Sequence, residues 1–347
     1  MIPAEPSSLA LFWVSAIAFA ILVYVILDGF DLGVGILFSV AENEARRDAM
    51  LAAISPFWDG NETWLILIAA SLFGAFPMVY AVFLPAVYIP VLLMLFGLIF
   101  RGVGFEFRYR GARGFWDGGF FIGSTVAAFV QGAAVGAMIR GIPVANGQYA
   151  GGAFAWIAPL PVLTGVGLVF GYALLGAGWL VMKNEGELRE WARARIPWVA
   201  VAVLVVLVLA FVAAVFEPQR IGANLSHRLW GLVFPGIALL AMAGVFIGVR
   251  ERRDGMPFAM TVVFFIASFL TLAVLFWPYM IPYQVTVADA AAPDKTLTFL
   301  FWGAGVFVLP VIVIYTAVVY WVFRGKLRHG YGRVGPGLTA DNRGRLI

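Results

Sequence analysis

Residues 9–40 read LALFWVSAIAFAILVYVILDGFDLGVGILFSV, an apolar run whose only charges are Asp28 and Asp31. A helix needs about 20 such residues to cross the hydrocarbon core of a bilayer. Strands of a membrane barrel are about half as long and alternate in polarity, which this run does not. It reads as a transmembrane helix that carries acids. Eight further apolar stretches lie at 51–76, 78–100, 118–139, 155–182, 197–216, 229–249, 258–277 and 298–323. The second and third are parted only by the turn expected at Phe76-Pro77. The composition agrees: 63% of the 347 residues are hydrophobic and 12% charged, against about 25% charged in a soluble domain. The expected fold is all-α, a polytopic membrane protein of nine transmembrane helices in one integral membrane domain spanning 1–347. Residues 1–8 hold no Lys or Arg, which argues against a cleaved signal peptide. With no cysteine, disulfides, thiolate metal sites and cysteine catalysis are excluded.

The basic residues set the orientation. Nineteen of the 23 Lys and Arg fall in the first, third, fifth and seventh connections and the C-terminal tail. The other side has Arg140, Arg220, Arg228 and Lys295, so no basic residue is left for the interior of a span. The positive-inside rule then places the N-terminus outside and the C-terminus in the cytoplasm of a cell membrane. The net charge of +4 thereby has a membrane explanation and is no sign of nucleic-acid binding.

Several features read as packing. Gly29/Gly33, Gly132/Gly136, Gly167/Gly171 and Gly244/Gly248 are spaced for close helix contact. Trp58 and Trp64 suit either plain packing or the border of a gas path. Gln131 and Asn224 are candidates for hydrogen bonds between helices. His227 and His329 fall at or beyond span edges. The glycines of 100–108 (FRGVGFEFR) succeed a membrane span and not a strand, so they form no phosphate loop; alternating Phe and Arg suit an interfacial segment with snorkelling arginines. The segment 278–295, with Asp289 and Asp294, reads as a solvated outer loop.

Four acids lie where acids are expensive: Asp28 and Asp31 in the first stretch, Asp59 and Glu62 early in the second. A rise of about 1.5 Å per residue puts Asp31 and Asp59 each ~13–15 Å from the connection at 40–49, at comparable depth. Each pair is spaced i, i+3 and shares a helix face. A charged carboxylate at that depth costs several kcal/mol unless it protonates, pairs or lines a wet cavity. With no basic residue at that depth, the acids read either as a proton relay entered from the cytoplasm or as neutral groups bonding backbone carbonyls. Asp28 best suits a structural or near-surface place.

The segments 28–35 (DGFDLGVG), 54–61 (ISPFWDGN) and 100–108, with 277–282 (WPYMIP) and 309–317 (LPVIVIYTA), resemble subunit II of bacterial cytochrome bd quinol oxidases. The cyanide-insensitive branch is the nearest in look. The resemblance covers nearly the whole chain, in order. It implies a partner of a haem-bearing subunit I and of a small single-helix accessory subunit. The complex would oxidise quinol on the outer side and reduce oxygen to water, taking protons from the cytoplasm without pumping. It implies b- and d-type haems ligated by subunit I, none by this chain, and admits a structural quinone or lipid in a groove. It points to Asp59, and second to Asp31, as proton-path residues. Phe57 stands where a histidine is frequent and Glu62 where a glutamine is, which alters any relay. Two other functions stay open from the residues themselves: a proton-coupled transporter, which would want inverted repeats and broken helices, and a scaffold without chemistry.

Overall fold

In a computed structural model, residues 5–217 and 229–327 are described. Arg220, Asn224, His227, Arg228, Arg328, His329, Arg333, Arg343 and Arg345 lie outside these residues. Helix α1 (Ser8–Phe38) is succeeded by α2 (Glu44–Ile54), α3 (Trp58–Ala75), α4 (Pro77–Ala86) and α5 (Tyr88–Phe107). Then come α6 (Arg113–Arg140), α7 (Pro159–Lys183), α8 (Gly186–Val215), α9 (Val233–Arg250), α10 (Met256–Phe276) and α11 (Asp294–Val322). Two short hairpins, Val144–Ala145 with Gln148–Tyr149 and Tyr279–Ile281 with Val285–Thr286, are the strands among the described residues.

Eight of these helices are long and apolar enough to cross a membrane. The stretches at 51–76 and 78–100 depart from a simple reading. The first splits at Ser55–Phe57, where Pro56 lacks the N–H that would continue α2. Before the break lies a short, capped helix, with Asn43 accepting from the Arg46 amide. After it comes α3, 18 residues long, whose first two turns carry Asp59, Asn61 and Glu62. The second splits at Val87, whose backbone leaves the helical region between Pro85 and Pro90.

Close backbone approach organises the core. A Cβ on Gly33 would lie 1.8 Å from the carbonyl oxygen of Tyr172, and one on Gly132 2.4 Å from that of Thr164. Glycine is therefore required where α1 and α6 meet α7. Gly171 and the Gly244/Gly248 pair likewise face side chains of α10 at 2.7–3.0 Å. The loop at 278–295 is packed, contrary to the solvated loop expected from its acids. Ile281, Val285 and Val287 are buried, Thr286 and Asp289 form a capping box, and Asp294 accepts from the Ser7 hydroxyl at 3.1 Å.

Candidate functional site

The proline-free run after Phe100 lets α5 continue to Phe107, and this carries Arg101 into the bundle. Arg101 is fully buried. Its Nη1 donates to Asp28 Oδ1 at 2.8 Å and to Glu62 Oε1 at 3.0 Å. Sequence alone puts Arg101 in a connection and leaves the intramembrane acids without a basic partner; the structure corrects both points. The available signal was the absence of a helix breaker before Gly111. Removing Arg101 from the nineteen leaves the asymmetry of basic residues intact. Asp28 is correspondingly neither superficial nor near a surface: it is completely buried in the ion pair.

Asp31, three residues along the same face, is also fully buried. It accepts from Asn61 Nδ2 at 2.7 Å, and Asn61 Oδ1 accepts from the Tyr320 hydroxyl at 3.1 Å. This links α1, α3 and α11. Asp28 Oδ2, Asp31 Oδ1 and both Nε and Nη2 of Arg101 are buried with no hydrogen-bond partner among the described residues. Three carboxyl groups thus surround one guanidinium, with hydrogen-bonding capacity to spare.

Asp59 does not meet Asp31. It points from the exposed side of α3 and makes no ion pair among the described residues, though its charge is felt at Glu62 one turn on. Burial thus rises from exposed Asp59 through half-buried Glu62 to fully buried Asp28 and Asp31, and Arg101 ties Glu62 to Asp28. Trp58 lies over Phe105, ring centroids 5.1 Å apart, and under the Arg101 guanidinium at 6.0 Å. Trp64 is buried, and its Nε1 has no hydrogen-bond partner among the described residues. It lines an apolar groove of about 240 Å³ with Phe19, Val23, Leu27, Val313 and Tyr320.

A second charge layer closes one end of the bundle. Arg108, two turns beyond Arg101, is buried and donates to Asp117 and Glu44, both at 2.5 Å, and to Asp48. It is enclosed by carboxylates rather than snorkelling to water as expected. Arg47 joins Asp117 at 2.9 Å, Arg46 bonds Glu42 and Glu187, and Asp254 holds Arg189, Arg193 and Lys326. Neither histidine is among the described residues, and no group of three or more His, Asp or Glu there is placed to hold a metal ion. Among the described residues the site offers carboxyl, guanidinium and amide groups.

The family model for cytochrome bd terminal oxidase subunit II matches residues 9–323. The cytochrome bd-I ubiquinol oxidase subunit 2 of Escherichia coli (strain K12) is 29% identical, over 91% of this chain and 94% of its own length. The cytochrome bd ubiquinol oxidase subunit 2 of Bacillus subtilis (strain 168) is 30% identical over 91% and 96%. A chain in the structure of bd oxidase from Geobacillus thermodenitrificans shares the fold, with a TM-score of 0.71 at 18% identity, over 92% of this chain and 100% of that one. This chain belongs to the cytochrome bd terminal oxidase subunit II family.

Proposed function

We propose that this chain is the subunit of a bd-type quinol:oxygen oxidoreductase that ligates no haem and supplies a proton route to the partner that does. The partner is a haem-bearing subunit I; a small single-helix subunit, membrane lipid and a structural quinone are further components of the reading. The observation that carries it is a set of four acids, exposed at Asp59 and fully buried at Asp28 and Asp31, in which Arg101 bonds Asp28 and Glu62. One guanidinium balances one carboxylate, so protons make up the difference, and a group that gains and loses them at low dielectric can pass them on. Asp28 Oδ2 and Asp31 Oδ1, which have no hydrogen-bond partner among the described residues, are acceptors still open to a proton donor.

The charged layer at the Arg108 end supports a cytoplasmic position for that end, and hence an outer N-terminus and nine spans with α3 as the second. Protons would then enter from the cytoplasm as oxygen is reduced, and quinol oxidation on the outer side would build a gradient without a pump. Family membership removes the footing of the transporter alternative. A scaffold alternative remains distinct, since it needs the Arg101–Asp28 pair but not a titrating Asp31. The test is purification of the complex and of this chain alone. The complex should show a haem spectrum and quinol-driven oxygen consumption, while the isolated chain lacks a Soret band. Stoichiometric haem on the isolated chain, lost on mutating a residue in it, would overturn the assignment. Full turnover in both Asp31→Asn and Asp59→Asn would leave only the scaffold.

A further inference from the structure

Beyond the four acids, three further polar side chains meet in the core, one each from α1, α6 and α7. The Tyr172 hydroxyl donates to Gln131 Oε1 at 2.7 Å, and Gln131 Nε2 donates to the Tyr24 oxygen at 3.0 Å. Tyr24 is 3% exposed and Tyr172 completely buried. Tyr172 is held in register by Gly29, where a Cβ would sit 2.7 Å from its ring. This arrangement has a direction. A primary amide offers a donor at one end and an acceptor at the other, so Tyr172 gives its hydrogen to Gln131 and Gln131 gives one to Tyr24. The oxygen of Tyr24 is thereby engaged as acceptor, and its own hydrogen is left to donate elsewhere.

Tyr24 lies one turn before Asp28 on α1, on the same face. The i, i+4 spacing sets the two side chains side by side, with no hydrogen bond closed between them. Asp28 Oδ1 is already taken by Arg101, while Oδ2 is buried without a partner among the described residues. The groups facing this carboxyl are Arg101 on α5, Glu62 on α3, Asp31 and Tyr24 on α1, Tyr172 on α7 and Tyr320 on α11. Among them Tyr24 is the neutral donor aligned along its own helix.

We infer that Tyr24 is a positioning residue of the proton route, its hydroxyl hydrogen freed by Gln131 and Tyr172 to serve the neighbouring Asp28 carboxyl. The inference rests on the proposed proton route. Its consequence is a charge effect at a distance from the chemistry. A hydroxyl that donates to a carboxylate favours the charged form. Without it the set of acids holds its protons to higher pH, and the pH dependence of turnover moves in the alkaline direction.

The experiment uses the purified, haem-loaded complex carrying Tyr24→Phe or Gln131→Met, with quinol-driven oxygen consumption recorded across pH. Tyr24→Phe keeps the ring and removes the hydroxyl; Gln131→Met keeps the bulk and removes the amide that bonds it. Both should assemble with normal haem content and shift the pH midpoint upward, by about 0.5 units or more for Tyr24→Phe and less for Gln131→Met. An unmoved midpoint in Tyr24→Phe overturns the inference, as does failure of both variants to assemble, which would make the trio a structural tie. Asp31→Asn and Asp59→Asn run alongside. Loss of turnover in either one, with an unmoved Tyr24→Phe profile, sinks this inference alone, whereas full turnover in both sinks the proton route itself.

Discussion

Arg101 Nη1 and Asp28 Oδ1 lie 2.8 Å apart between α5 and α1, both residues fully buried. Taking either charge out of water is expensive, and their attraction offsets that cost only while both are present. Arg101→Met would leave Asp28 and Glu62 facing each other without compensation. We expect a loss of about 3–5 kcal/mol, seen as a fall in the yield and thermal midpoint of the complex. Adding Asp28→Asn to the same chain should recover much of the loss. A double variant no more stable than Arg101→Met would show that Arg101 acts through something other than this pair.

Asp59 is the exposed member of the four acids, and Asp59→Asn retains its size while removing the titrating group. Quinol-dependent oxygen consumption should fall by about 10–100-fold, with haem content and assembly near normal. Asp59→Glu should keep more activity than Asn, because a carboxyl group remains. Turnover at the unmodified rate in Asp59→Asn across pH would end the case for proton transfer at this position.

The chain after α11 is pinned at the charged end of the bundle. The Leu327 amide donates to the Lys183 carbonyl at 2.8 Å, and Lys326 bonds Asp254. Burial pushes the Asp254 carboxyl up, but Lys326, Arg189 and Arg193 together hold it below the ordinary aspartate range. A carboxyl depressed in the folded chain contributes stability that is complete above its unfolded value of about 3.9 and is lost as pH falls through the folded value. Hydrogen-exchange protection at 323–327, taken relative to the intrinsic rate at each pH, should therefore hold from pH 7 to about 5 and fall below about 4. In Asp254→Asn it should be low throughout, and a segment equally protected in that variant would discount the pin.

Gly33 and Tyr172 set how closely α1 approaches α7. Gly33→Ala would drive a methyl group to 1.8 Å from a backbone oxygen that cannot step aside. Overpacking costs about 1–3 kcal/mol even where side chains can yield, so this variant should assemble poorly. Gly118→Ala, on α6 with nothing within 4 Å of the added carbon, is the matched control and should assemble normally. Equal thermal midpoints for the two variants would contradict the packing described.

Orientation is open to reporter fusions. Fusions after Arg47, Arg113 and Arg195 should report the cytoplasm, and one after Lys295 the outer side. An outer signal from any of the first three would reverse the proposed entry side for protons.

Hydropathy sums along a chain, so nine apolar stretches of near-membrane length were legible without coordinates, as were the acids placed inside two of them. The motifs around Asp28, Asp59 and Arg101 also carried the family. Partnership was not legible, because it depends on where a helix ends and how it is rotated. Arg101 read as a connection residue because charge ordinarily marks the end of a span; α5 runs on past it since glycine and phenylalanine do not stop a helix, and the acids of α1 and α3 receive the guanidinium. Asp59 and Asp31 were expected at comparable depth on adjacent helices; what spacing did not tell is the rotation of α3, which turns Asn61 to Asp31 and leaves Asp59 on the exposed side. That rotation is fixed by packing among α1, α3 and α11, in which Tyr320 reaches Asn61 from 259 positions away. No spacing rule spans such a distance. The fold brings those residues together through close helix contacts, such as those at Gly33 and Gly132, that a sequence only permits.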